Sequence, residues 1–211
     1  MAALVNGWRN AMSAPDMPVY FVQLPGSGAG PGWPFLREEQ RLSTTLPHTG
    51  MAVTIDLLDE DIHPPNKIDV GKRLAYWALA KTYGKGIPFS GPLFRNATIS
   101  EGRVTVRFDY ADSGLMVAVK EGLTPPLEAS DVPLSHFEVA DAEGQWHAAE
   151  AVIEGNTVVV VSDAVQAPVA ARYGYAINPQ HCNLYNRDGL PAAPFCSDET
   201  RLDYDPNLPT D

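Results

Sequence analysis

A run of acidic and imidazole side chains, Asp59-Glu60-Asp61-Ile62-His63, closes on Pro64 and Pro65. An imidazole next to carboxylates holds the parts of a general base and its orienter. A carboxylate that accepts from one ring nitrogen fixes the tautomer. It also stabilises the imidazolium that forms when the other nitrogen takes a proton. The same residues suit a surface histidine in an acidic turn before a helix, and spacing alone leaves both readings open. A metal site is the weaker reading, because no second His or Cys stands at ligand spacing. Upstream, Pro25 to Gly32 holds four glycines in eight residues. A loop of that kind after a strand could cradle a phosphate, but it is not G-x-G-x-x-G, and Pro31 and Pro34 displace any helix start. Ser27 stands outside a G-x-S-x-G elbow, so the loop reads as a flexible connection. His136 and His147 lie in strand-like sequence without an acid-partner pattern and read as ordinary strand residues. Cys182 and Cys196 could form a bridge closing a loop of about 15 residues, which would contribute about 3 kcal/mol, or they could stand as two free thiols.

The elements that must position these residues change character along the chain. Leu4, Val5, Trp8 and Met12 recur at helical spacing, and Pro15 and Pro18 end that segment. Pro18 to Leu24 is almost continuously apolar, with the β-branched and aromatic content of a buried parallel strand. Trp33 to about Ser43 reads as a short helix, and Met51 to Leu57 as a second buried strand. Asn66 is placed to cap the next helix, with Asp69 near its positive end. Val70, Leu74, Trp77 and Ala78 form its apolar face, Lys81 lies in its last turn, and Gly84 suits the position after it. Helix, strand, helix, strand, helix over residues 1–90 predicts an α/β layer on a parallel sheet. In open sheets of this class ligands collect outside the carboxyl ends of the strands, where both the glycine loop and the His63 turn fall. Two strands are few for such a sheet, which wants four or five, so part of it is expected to lie outside the sequence.

The second half reads as all-β. Val104, Val106 and Phe108 alternate with polar residues, and Leu115, Val117 and Val119 repeat the pattern. Glu101-Gly102, Glu143-Gly144 and Gly155-Asn156 interrupt strand-like runs as hairpin turns would. Val158 to Val161 reads as an inner strand, and Val169 to Tyr173 as another. Six or seven short strands predict a small β-sandwich over residues 91–202, with 203–211 a loose tail. The boundary is set near Ser90-Gly91-Pro92, because charge changes there too. Residues 1–90 carry 8 basic and 8 acidic side chains, whereas 91–211 carry 7 and 18.

Composition excludes several functions. A net charge of −11 on 211 residues argues against non-specific binding to nucleic acid or anionic membrane, both of which need clustered Lys and Arg. No apolar run is long enough to span a bilayer, and the first residues lack the pattern of a signal peptide. Two cysteines permit neither a disulfide scaffold nor an all-cysteine zinc site.

Several longer blocks resemble a known family. Tyr20-Phe-Val-Gln-Leu24, Leu36-Arg-Glu38 with Gln40, Gly50-Met-Ala-Val-Thr-Ile-Asp56, Asp61-Ile-His-Pro64, Asn66-Lys67 and Gly71-Lys-Arg-Leu-Ala75 are similar to the C-terminal part of sialate O-acetylesterases, carbohydrate esterases of the SGNH hydrolase class. Ser90-Gly-Pro-Leu93, Phe137-Glu-Val139, Ala171-Arg-Tyr-Gly-Tyr175, Asn183-Leu-Tyr-Asn186, Gly189-Leu-Pro191 and Pro194-Phe195 continue the match. The resemblance implies a flavodoxin-like α/β/α domain with attached β domains, and a serine esterase that removes O-acetyl groups from sugars without a cofactor or metal. It places the general base at His63. It favours Asp61 as the orienting acid, with Glu60, three before the histidine, in reserve. The family's serine block and its oxyanion donors have no counterpart in these residues. The expectation is therefore a C-terminal portion that needs an N-terminal partner segment and is inactive alone. Family members are often exported, so the resemblance suggests a periplasmic or extracellular setting.

Two readings of function follow. One is part of a carbohydrate O-acetylesterase, with His63 and Asp61 catalytic and an acetylated sugar as substrate. The alternative is a non-catalytic module, in which the acidic β half either binds sugar through Trp146, Tyr173 or Tyr185 or serves as a structural brace.

Overall fold

The computed structural model describes residues 1–27, 30–57 and 62–198. Its first half alternates as the periodicity predicts: α1 (Ala2–Ala11), β1 (Val19–Val22), α2 (Trp33–Leu42) running into a 3-10 turn (Ser43–Thr45), β2 (Thr49–Ala52), then α3 (Lys67–Trp77) continued by a π turn (Ala78–Thr82). β1 and β2 pair in parallel, with Val19 opposite Thr49 and Val22 opposite Ala52. Asn66 caps α3 as expected, accepting from the Asp69 backbone N–H at 3.0 Å, and Gly84 takes the left-handed conformation past its end with φ +65°.

Three details of this half depart from the sequence reading. The expected apolar face of α1 does not dock: Leu4, Trp8 and Met12 are exposed, and Val5 and Arg9 are buried instead. Arg9 decides this, because its guanidinium donates to the carbonyls of Met17 at 3.0 Å and Pro47 at 2.7 Å, turning the helix about its axis. On α3, likewise, only Arg73 and Trp77 of the inward face are fully buried. The second strand ends at Ala52 rather than at Leu57. Beyond Ala52 the chain stays buried, but side chains take over its bonding. Thr54 Oγ1 donates to the Gln23 carbonyl at 2.7 Å, and Arg73 donates to the Val53 carbonyl at 2.7 Å.

Among the described residues, β1 and β2 form a sheet of their own. In a parallel pair alternate residues aim their backbone groups outward, and here those of Tyr20, Val22 and Leu24 face away from β2. Gln40 of α2 covers one end of that edge: its amide accepts from the Leu24 N–H at 2.8 Å and donates to the Val22 carbonyl at 3.3 Å. A side-chain amide thus occupies the place of a neighbouring strand.

The second half is all-β, with eleven strands among the described residues rather than six or seven. β3 (Leu93–Ser100), β4 (Arg103–Asp109), β10 (Thr157–Val161) and β9 (Glu150–Glu154) form one sheet in that order. β13 (Phe195–Cys196), β11 (Ala170–Tyr173), β7 (Phe137–Ala140) and β8 (Trp146–Ala148) form a second, and β12 (Leu184–Asn186), β5 (Leu115–Val119) and β6 (Leu127–Glu128) a third. The additional strands are mostly two or three residues long, too short to carry a period of two. The three hairpin turns form where Gly was read: Gly102, Gly144 and Gly155 all have positive φ.

Val104, Val106, Val139, Val158 and Val160 are wholly buried and share one core with Phe137, Tyr173 and Phe195. Met51, Val53 and Ile55 of the α/β half belong to the same core, so apolar burial runs unbroken across residue 90. The junction is tight. A Cβ on Gly91 would lie 2.0 Å from the Pro191 carbonyl oxygen, an approach that only glycine permits. β5 is covered on both faces: Leu115 and Val117 meet the main core as expected, Met116 and Ala118 pack on Tyr185 on the other side, and of the expected face only Val119 is exposed.

Candidate active site

His63 lies on a bend beyond the carboxyl end of β2, exposed, with Pro64 buried behind it. Asn66 starts α3 three residues on. The turn is therefore anchored on its downstream side, and the imidazole stands where an open α/β sheet presents its ligand sites. Asp61 and Glu60, the two candidate orienting acids, lie outside the described residues, as does Asp59.

The anchor is built from both halves. Asn66 Nδ2 donates to Asp69 Oδ2 at 2.7 Å and to the Gly122 carbonyl at 3.0 Å. Lys120, its side chain 5% exposed, places its ammonium 2.8 Å from Asp69 Oδ2 and 2.5 Å from the Gly122 carbonyl. Burial pushes the Asp69 carboxyl up, but the Lys120 ammonium and the Asn66 amide outweigh it and hold the carboxyl below its ordinary value. The loop after β5 is thereby pinned onto the first turn of α3, next to His63.

Below this lies a buried ionic network that the sequence reading missed. Arg73 Nη1 and Nη2 donate to the two oxygens of Asp56 at 2.6 Å each, with both side chains almost fully buried. Tyr185 of β12 donates its hydroxyl to Asp56 Oδ2 at 3.0 Å. Burial works against the Arg73 charge, but the Asp56 carboxylate outweighs it and raises the guanidinium pKa. Burial, and then the same carboxylate, push the Tyr185 phenol far up. One signal was available: an Asp ending a buried apolar run requires a buried cation, and Arg73 lies on the inward face of α3.

The other loop at this end, Pro25 to Gly32, is held by Arg37, wholly buried on α2. Its guanidinium donates to the Pro25 carbonyl at 3.0 Å, to that of Ile177 at 3.2 Å and to that of Ala176. Burial lowers the Arg37 pKa to about 10. Up to Ser27, which is 2% exposed, the loop is therefore fixed against the β half rather than flexible; residues 28 and 29 lie outside the described residues.

Several candidates from the sequence do not sit at a surface. Tyr173 and Tyr185 are fully buried and present no face to a sugar, and Trp146 is half-covered by the Arg172 guanidinium 4.3 Å above its ring. His147 has an acid partner after all, Asp141 Oδ2 at 2.7 Å, and the pair ties the hairpin of β7 and β8. Cys182 and Cys196 are both free and buried. Burial pushes their thiols up to about 12 and about 11. No group of three His, Cys, Asp or Glu among the described residues is placed to hold a metal ion.

This arrangement places an exposed imidazole beyond β2, beside the anchored start of α3, and a held segment up to Ser27 beyond β1. The chain is similar to known esterases along most of its length. It is 28% identical to the sialate O-acetylesterase of Rattus norvegicus over 225 residues, covering 92% of this chain and 39% of the relative. It is 30% identical to that of Mus musculus over 165 residues, covering 71% and 28%. The crystal structure of a carbohydrate acetylesterase from Xanthomonas citri superposes with a TM-score of 0.84 at 40% identity, covering 94% of this chain and 45% of that one. The chain thus spans less than half the length of these relatives. No family model matches it.

Proposed function

From the premise that the chain belongs to the sialate O-acetylesterase family, we propose that it is the C-terminal portion of an SGNH-type esterase that removes acetyl groups from sugars, with His63 as general base. The observation that carries this reading is the exposed His63 on a braced bend beyond β2. The serine and the oxyanion donors come from polypeptide outside these residues, which continues the sheet at the outward edge of β1.

In this mechanism the serine hydroxyl attacks the acetyl carbonyl while His63 takes its proton. The carbonyl π electrons move onto oxygen, and the tetrahedral intermediate is held by backbone donors. His63 then returns the proton to the sugar oxygen as the ester C–O bond breaks, leaving acetyl-serine. Water attacks the acetyl-serine, His63 again takes a proton and passes it to the serine, and acetate leaves. Asp61 accepts from the other ring nitrogen and stabilises the imidazolium.

In the full-length enzyme, His63→Ala is expected to lower kcat for acetyl release by about a thousandfold or more. Wild-type turnover in that variant rejects the assignment. Asp61→Asn and Glu60→Gln separate the two acids, and the larger loss is expected for Asp61. The 211-residue chain alone is expected to release no acetate.

A brace role for the β half accompanies this reading. The bonds of Lys120 to Asp69 and of Asn66 to Gly122 support it, since they fix the helix start beside His63.

A further inference from the structure

At the opposite end of the parallel pair from His63 the chain encloses a cleft of about 700 Å3, within the size range of small-molecule sites. Tyr20 of β1, Thr49 of β2, Trp77 and Lys81 at the end of α3, and Phe94 and Tyr110 of the β half line it. Tyr20, Phe94 and Tyr110 are half-buried and Trp77 is buried behind them.

The aromatic wall is fixed before any ligand arrives. Tyr20 stacks on Trp77 at 6.2 Å between ring centroids, and Tyr110 meets Trp77 edge-on at 6.1 Å. The Trp77 indole donates to the Met51 carbonyl at 2.9 Å, and the Tyr20 hydroxyl bonds Thr82 Oγ1 at 2.8 Å. Gly50 makes room, because a Cβ there would lie 2.4 Å from the Trp77 ring.

The polar side of the cleft selects the ligand. Asp16 and Asp109 also line it. Their basic neighbours, His48 at 3.6 Å from Asp16 and Arg95 at 3.7 Å from Asp109, are beyond close hydrogen-bond distance, so both carboxylates keep lone pairs for hydroxyl donors. Arg41 and Lys81 line the cleft as well, so two cations stand against the two carboxylates, and a ligand without net charge fits the balance best. A ligand with an apolar C–H face for the rings, several hydroxyls for the carboxylates and no charge meets every term.

We propose that this cleft is a non-catalytic binding site for a neutral pyranose, separate from the esterase centre at His63. The site requires neither a nucleophile nor an acetyl group, so it stands whether or not His63 is catalytic.

The test titrates the isotope-labelled 211-residue chain with the methyl glycosides of glucose, galactose and N-acetylglucosamine. N-Acetylneuraminic acid serves as the charged comparison. The expected result is a saturable shift of the Trp77 indole N–H resonance by at least one neutral glycoside, with a weaker response to the anion. Tyr20→Ala is expected to weaken binding about tenfold, and Asp109→Asn, a surface change that leaves the fold intact, about threefold. His63→Ala is expected to leave binding unchanged, which separates failure of this site from failure of the esterase reading. The proposal is overturned by an unmoved Trp77 resonance with all three glycosides, by tighter binding of the anion, or by binding that Asp109→Asn leaves intact.

Discussion

The two halves of the molecule are finished to different degrees. In the β half the inner strands bury their faces in one core: Val104, Val106, Val139, Val158 and Val160 are all inaccessible and belong to it. In the α/β half the parallel pair has an outward edge that Gln40 covers at one end. Leu4, Trp8 and Met12 line an exposed stripe of α1. Of the apolar residues this half buries, Met51, Val53 and Ile55 lie in the core of the β half. The β half therefore holds together by its own packing, and the α/β half is held by what the β half lends it: a share of the core, the Tyr185 hydroxyl on Asp56 and the Lys120 ammonium on Asp69.

The largest test of that dependence is the buried pair under the candidate site. Arg73→Ala leaves Asp56 buried and uncompensated, which costs about 3–5 kcal/mol, a large share of the stability of an ordinary domain. Urea denaturation of the variant should show one transition at much lower denaturant if the two halves share a core. A variant that loses the α/β half while the β half keeps its wild-type midpoint breaks the shared-core account.

The Lys120–Asp69 contact is the next step down. A carboxyl held below its ordinary value contributes stability that is whole above the unfolded value of 3.8 and is lost as pH falls through the lower folded value. Asp69→Asn should therefore cost about 1.5–3 kcal/mol near neutral pH, the range for a hydrogen bond to a charged group. The difference from wild type should close on acidification below the ordinary carboxyl range. An unchanging gap across the acid limb means that the ionic contact is not what fixes the turn beside His63.

These two contacts also mark where sequence reading ended. The order of helices and strands, the Asn66 cap and the inward face of β4 are local matters of period and capping, and the sequence reading places them. Arg9, Arg37 and Arg73 escape it, because a buried arginine is defined by the carbonyls and carboxylates it meets across the fold, not by its neighbours in sequence. The exposed face of α1 and the second buried face of β5 escape it for the same reason: Arg9 in one case and Tyr185 in the other decide what is covered. For the candidate site, the position of His63 after a parallel strand is legible. Its brace from Lys120 is not, since 57 residues separate the two.

Cys182 and Cys196 provide a test with little energetic cost. With burial holding the thiols at about 12 and about 11, native protein at pH 8 should react negligibly with a thiol reagent, and denatured protein should react at both sites. Fast native labelling at Cys196 alone points to opening of the short strand β13, and so to a β half less closed than its core implies.

The smallest effect tests the comparison at its other pole. Trp8 and Leu4 are each 46% exposed, so Leu4→Glu and Trp8→Glu remove little buried area from this chain and should move its stability by within about 0.5 kcal/mol. In the longer esterase proposed above, the same stripe is expected to be covered by the rest of the catalytic domain. There each substitution places a charge in an apolar contact, and its cost should rise severalfold. The measurement is the urea midpoint of each variant in both contexts. A larger loss in the longer protein supports the proposed neighbouring segment. Equal and small losses in both contexts leave α1 a solvent-facing helix, and the outward edge of β1 is then the surface left for the proposed neighbour.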